Sequence, residues 1–241
     1  MFWSKSRKKK KNLKLSKKAR NLVTVTDMKS TVAEQYRMIR ANITFSMPDQ
    51  ELKTILVTSS TPGEGKSTNA ANLGVVFAHE GKKVLIIDGD MRKSTLHQTF
   101  KTFNNIGLSN FLAKKISFEE AVQETFTVGL YVITSGPVPP NPAELLSSKA
   151  MDALILEAKK TFDIIIIDAP PVLSVSDAQI LSNKCDGTLL IVNAGVAEKE
   201  VVRKATAILE NSQATILGVI LNKYVAPRHK DYYDAKHYME A

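Results

Sequence analysis

Ser59-Ser60-Thr61-Pro62-Gly63-Glu64-Gly65-Lys66-Ser67 is the stretch on which the fold of this chain turns. A short apolar run, Thr54 to Val57, precedes it, and a segment with helical spacing, Thr68 to His79, follows. A strand, a glycine-bearing turn ending in Gly-Lys-Ser, and a helix together make a phosphate cradle. Small residues let consecutive backbone N–H groups converge on phosphate oxygens. Lys66 reaches the β and γ phosphates, and the Ser67 hydroxyl can ligate Mg²⁺. Pro62, Gly63, Glu64, Gly65 and Thr68 complete the candidate nucleotide-binding segment. One position departs from the general pattern G-x-x-x-x-G-K-[ST]: Ser60 stands where the first glycine would be.

At 241 residues and 44% hydrophobic content the chain has material for one α/β core, without a second full domain. No run approaches the roughly 18 apolar residues that a bilayer span needs, and the N-terminus lacks the apolar core of a secretory signal. The single cysteine, Cys185, precludes an internal disulfide and suits a reducing cytosol. Its surroundings are apolar, so it reads as packing.

The net charge of +9 is unevenly spread. Residues 1–20 hold ten Lys and Arg and no acid, which leaves the remainder at −1. The near-neutral remainder is expected to fold, and the basic arm (residues 1–24) to be disordered and solvated. The arm has a second reading, attraction to anionic lipid with Phe2 and Trp3 as interfacial anchors, at about 1 kcal/mol per basic residue. Nucleic acid is not the expected partner.

Along the chain, Ser30 to Phe45 reads as a helix, with Thr31-Val32-Ala33-Glu34 as a capping box and Val32, Tyr36, Ile39 and Ile43 on one face. Strands are expected over residues 54–58, 83–88, 130–134, 163–168, 187–193 and 216–221. Helices are expected over 68–79, 143–161, 177–183 and 198–211. Runs such as Ile164-Ile165-Ile166-Ile167 suit strands buried on both faces, hence a mainly parallel sheet. The expected architecture is one doubly wound α/β domain with its site at the carboxyl ends of the strands.

Two further strands end in acids. Val84 to Ile87 leads into Asp88-Gly89-Asp90-Met91-Arg92, and Ile164 to Ile167 leads into Asp168-Ala169-Pro170-Pro171. Strand ends meet at the edge that carries the phosphate loop, so Asp88, Asp90 and Asp168 would converge on a Mg²⁺–triphosphate. Together with Ser-x-x-Pro-Gly-Glu-Gly-Lys-Ser, these motifs resemble the bacterial tyrosine kinases, a P-loop NTPase-type family that controls capsular and exopolysaccharide synthesis. The connector Ser135 to Leu146 is similar to one typical of that family, and the resemblance covers roughly residues 25–241. It implies a kinase domain over residues 25–223, ATP and Mg²⁺ as cofactors, and a transmembrane adaptor of polysaccharide co-polymerase type as partner. It also implies a chain at the inner face of the cell membrane, of the form in which kinase and adaptor are separate polypeptides. The partitioning and septum-placing ATPases are the rival class. They carry an extra lysine early in the loop, where this chain has Thr61.

Roles follow from what phosphoryl transfer requires. Lys66 and the backbone of Gly63 to Ser67 would hold the phosphates. Ser67, with Asp168 and one of Asp88 and Asp90, would hold Mg²⁺, and the other acid would accept the tyrosine proton. Asp88, at the strand's end, is favoured as that base. Arg92 reads either as a phosphate contact or as the partner of an acid. Asn222 reads either as a base contact or as a strand cap.

Four of the six tyrosines, Tyr224, Tyr232, Tyr233 and Tyr238, fall in residues 224–241, a polar and flexible segment by composition. A docked terminal segment is one reading; a cluster of phosphate acceptors is what the resemblance implies. Glu34, Arg37 and Arg40 match a family pattern, Glu-x-x-Arg-x-x-Arg, that the resemblance links to self-association in a ring with tail exchange between neighbours. Without that pattern they would be an ordinary solvated face, with Glu34 used in its own helix cap.

Overall fold

The computed structural model describes residues 22–47 and 51–225. The basic arm up to residue 21 and the acceptor candidates Tyr232, Tyr233 and Tyr238 lie outside the described residues.

In chain order the elements are α1 (Val23–Thr26), α2 (Thr31–Phe45), β1 (Thr54–Ser59), α3 (Lys66–His79), β2 (Val84–Asp88) and α4 (Leu96–Phe100). Next come α5 (Leu108–Leu112), α6 (Phe118–Ala121), β3 (Gln123–Glu124), β4 (Leu130–Ile133), α7 (Pro142–Ser147) and α8 (Lys149–Thr161). The last are β5 (Ile164–Asp168), α9 (Asp177–Ser182), β6 (Gly187–Asn193), α10 (Lys199–Asn211) and β7 (Ile216–Asn222).

The strands form one seven-stranded sheet in the order β3-β4-β2-β5-β1-β6-β7. Every pairing is parallel except the short β3 against β4. The sheet has a core on each face. Leu85, Ile87, Ile165 and Ile167 face a cluster with Leu146, Met151 and Leu154 from α7 and α8. Their neighbours Val84, Ile86, Ile164 and Ile166 face α2 and α3 through Tyr36, Ile43, Leu73 and Phe77. Side chains of successive strand residues point to opposite faces, so two covered faces demand an unbroken apolar run. Each fully buried Ile or Leu contributes about 1.5–3 kcal/mol.

Several expectations are corrected. The expected helix over 143–161 is two helices, because Ser148 is extended (φ −72°, ψ 157°) between α7 and α8. The cap of α2 is Ser30, whose hydroxyl accepts the Ala33 N–H at 3.2 Å, not a Thr31–Glu34 box. Glu34 instead pairs with Arg37 at 2.6 Å. Ala33 replaces Val32 on the buried face, and Val32 is exposed. Leu22 and Thr24, just before residue 25, are buried.

At the amino ends of the strands, one carboxylate ties three elements. Asp186 Oδ2 accepts the N–H groups of Lys53 and Thr54 at 3.0 and 2.8 Å, at the start of β1. Its Oδ1 takes the Lys159 ammonium of α8 at 2.9 Å, and its own N–H, just before β6, donates to Thr54 Oγ1. Burial works against the Asp186 charge, but these bonds outweigh it and hold its carboxyl below the usual range.

Candidate active site

The phosphate loop leaves β1 at the centre of the sheet and returns as α3. Two glycines give it left-handed backbone, Gly63 at φ +86° and Gly65 at φ +100°. Gly65 is doubly required, since a Cβ there would sit 2.2 Å from Asn222 Nδ2. With Gly65 as its cap, α3 starts at Lys66 and its first N–H groups open toward the loop. Pro62 and Gly63 form the exposed crest of the turn, and Thr68 lies half-buried in the first turn of α3.

The Glu64 side chain has a task separate from the backbone N–H expected to face phosphate. It is 3% exposed and turns inward, away from a phosphate. Its Oε2 accepts the Ser60 hydroxyl at 2.7 Å and the Thr61 N–H at 2.8 Å, while Oε1 accepts the Asn193 N–H at 3.3 Å. Asn222, the last residue of β7, donates from Nδ2 to the Glu64 carbonyl at 2.7 Å. The loop is thereby fastened to the ends of β6 and β7.

The three acids do converge. Asp88 and Asp168 are register partners at the ends of β2 and β5. The Lys66 ammonium lies 2.9 Å from Asp90 Oδ2 and 3.6 Å from Asp168 Oδ1, with the Ser67 hydroxyl at 3.4 Å. Burial works against the charge on Lys66, but Asp168 and Asp90 outweigh it and hold its pKa above the ordinary value. Asp90 Oδ1 also accepts the Lys93 N–H at 2.9 Å.

Asp88 and Asp168 are wholly buried. Asp88 Oδ2 accepts the N–H groups of Thr95 and Leu96 at 3.2 and 3.1 Å, capping α4, whereas its Oδ1 has no hydrogen-bond partner. Burial and the neighbouring Asp168 charge push the Asp88 carboxyl up to about 8, against the pull of Leu96 N–H and Lys66. Neither Asp168 oxygen has a partner at hydrogen-bond distance, although the Lys66 ammonium at 3.6 Å from Oδ1 and the Ser67 hydroxyl lie close enough to favour its charge. Burial raises its carboxyl too, against the pull of Lys66.

Buried acceptors without donors are costly. One ammonium against three acids leaves room for a cation, so the residues present fit a divalent metal. Among the described residues no three His, Cys, Asp or Glu side chains are grouped so as to hold a metal ion by themselves. That agrees with a hard cation held by one or two carboxylates and completed by phosphate oxygens and water.

Other candidates are placed as follows. Arg92 is paired with an acid: its Nε and Nη2 lie 3.0 and 3.2 Å from the buried carboxylate of Asp177 on α9. Arg40 reaches the C-terminal turn of α3, donating to the Val76 carbonyl at 3.1 Å and pairing with Glu80 at 3.4 Å. Arg37 also donates to the Met28 carbonyl at 3.1 Å. Tyr224 is exposed just past β7. Asn69, Asn193 and Asp177 support the site and were not singled out in sequence.

A family model described as an AAA domain matches residues 52–216. The chain is 50% identical over 217 residues to the tyrosine-protein kinase YwqD of Bacillus subtilis (strain 168), covering 90% of this chain and 92% of that one. Among solved structures it is similar to the kinase domain of the Escherichia coli tyrosine kinase ETK. The TM-score there is 0.84 at 33% identity, covering 90% of this chain and 85% of that chain. Similarity to the chimerical protein CapA2B2 has a TM-score of 0.82 at 41% identity, covering 85% and 90%. The septum site-determining protein MinD of Pyrococcus horikoshii OT3, complexed with Mg-ADP, is more distant, with TM-score 0.63 and 28% identity over 73% of this chain and 72% of that one. With a nucleotide-binding loop, converging acids and kinase relatives matched over nearly their whole length, the chain belongs to the bacterial tyrosine-protein kinases of capsular polysaccharide synthesis.

Proposed function

We propose that this chain transfers the γ-phosphoryl group of ATP to tyrosine hydroxyls, its own Tyr224, Tyr232, Tyr233 and Tyr238 among them, and thereby regulates capsular or exopolysaccharide synthesis. The observation that carries the reading is the buried grouping of Lys66, Asp88, Asp90 and Asp168 beside the phosphate loop. Lys66 would leave its carboxylates for the β and γ phosphates, and the loop N–H groups would take the remaining oxygens. Ser67, Asp168 and Asp90 would hold Mg²⁺, which supplies charge neutralisation on the phosphates. Asp88 is the favoured base. Its Oδ2 is fixed by α4 and its Oδ1 is unengaged, free to take the phenol proton as the O–P bond forms and ADP departs.

Self-association is supported by the outward face of α2, where Met38 and Phe45, two turns apart, make a short exposed apolar stripe. Glu34, Arg37 and Arg40 are engaged inside their own chain, so the stripe is the freer surface for a neighbour in a ring. A transmembrane adaptor, and a place at the inner membrane face aided by the basic arm, follow from the kinship. No helix among the described residues is long and apolar enough to cross a membrane. The rival reading, a nucleotide switch of the partitioning type, has only the distant structural likeness in its favour.

Incubation with ATP and Mg²⁺, followed by mapping of phosphate by mass spectrometry, tests the proposal. Phosphotyrosine in the last 18 residues, absent in Lys66→Met and Asp88→Asn, is the expected result. ATP hydrolysis with no phosphotyrosine, with or without an adaptor fragment, would sink it in favour of the switch.

A further inference from the structure

Two asparagines of α3 fasten the segment α1–α2, and their bonds end in different places. Asn72 Oδ1 accepts the backbone N–H and the hydroxyl of Thr24 at 3.2 and 2.8 Å, and its Nδ2 donates to the Thr68 carbonyl at 2.8 Å. That path stops inside α3. Asn69 Oδ1 accepts the Tyr36 hydroxyl at 3.0 Å, and its Nδ2 donates to the Gly65 carbonyl at 2.9 Å. This second path ends in the phosphate loop.

Tyr36 and Asn69 are 8% and 2% exposed. Burial pushes the Tyr36 phenol up to about 12, so its proton stays in place to be donated at any physiological pH. A donor on Oδ1 decides which way an amide faces, and here it turns Nδ2 toward Gly65. The Gly65 carbonyl also takes the Asn69 N–H at 2.9 Å. The peptide joining Gly65 to Lys66 is thus gripped at its oxygen, while its N–H, that of Lys66, is one of the first donors of α3.

We propose that Tyr36 and Asn69 are positioning residues for the nucleotide: their buried chain of hydrogen bonds fixes the Gly65–Lys66 peptide, so the seating of α2 sets the grip of the loop on phosphate. The inference rests on the reading above only in taking nucleotide as the ligand of the loop. The opposite face of α2 carries the apolar stripe, so a neighbour docked there has a short mechanical route to ATP affinity.

Tyr36→Phe removes one hydroxyl and preserves the ring. The Kd of the full chain for Mg-ADP, measured by titration and independent of phosphoryl transfer, should rise about two- to tenfold, the range one buried hydrogen bond supports. Asn69→Ala should weaken binding similarly, and adding Tyr36→Phe to it should change little more. Thr24→Val breaks the neighbouring path and should lower the urea midpoint while leaving the Kd unchanged. An unaltered Kd in both Tyr36→Phe and Asn69→Ala, or a weakening matched by Thr24→Val, overturns the inference. Failure of the unmodified chain to bind Mg-ADP would overturn the nucleotide-site reading itself, and this inference with it.

Discussion

The ammonium of Lys66 lies against Asp90 and Asp168, and beside it Asp88 Oδ1 and Asp168 Oδ2 are buried without a hydrogen-bond donor. Such a site costs stability and is retained for chemistry. Asp88→Asn therefore has an unusual expected outcome. An amide oxygen can still cap α4, while the new Nδ2 offers Asp168 a donor in place of a like charge. The stability read from urea unfolding should rise by about 1 kcal/mol, as tyrosine phosphorylation disappears. A lower midpoint would contradict the electrostatic account. The acids and Lys66 were legible in sequence because strand ends and loop meet at one edge by topology. The partner of Arg92 was not, because Asp177 lies 85 positions away on a short helix that no spacing rule connects to the loop.

Gly65 joins a left-handed turn to close packing, so Gly65→Ala meets both backbone strain and Asn222 at 2.2 Å. We expect Mg-ADP binding to be lost beyond detection while far-ultraviolet circular dichroism keeps its native shape; retained affinity would refute the packing argument. For α2, the double change Met38→Glu with Phe45→Glu should lower the light-scattering mass of any assembly without shifting the melting temperature, because both side chains are exposed. The long apolar strands and α2, α3 and α10 could be read from periodicity. The helices α4, α5 and α6 could not: they span four or five residues, too few for a period, and α4 takes its cap from Asp88, eight residues ahead of Leu96. The break at Ser148 was hidden because the helical pattern on both sides is apolar in similar measure. Ser30, not Thr31, caps α2, and Val32 is exposed.

For the molecule as a whole, the buried acids give stability a direction in pH. Asp88 and Asp168 have folded pKa values above those of the unfolded chain. Their contribution is fully present below the ordinary carboxylate range and is lost as pH rises through the raised values. Urea midpoints of the nucleotide-free protein should fall from about pH 5 to about pH 8, and Asp88→Asn should flatten that slope. A midpoint that climbs over this interval would show that other groups dominate. Asp186 has the opposite sign. Its lowered pKa contributes stability above the ordinary carboxylate range, which is lost only as pH falls through that lowered value.

Asp186 gathers β1, β6 and α8 at the edge of the sheet where the parallel strands begin, while the buried acids sit at the opposite edge, where β2 and β5 finish. Spontaneous opening should therefore start at the finishing end. Amide exchange with deuterium would run fast around Ser59–Ser67 and the start of α4, and slowly at Lys53, Thr54 and Thr188. A protein hinged in that way can loosen its mouth to admit and discharge ligand while its root stays shut.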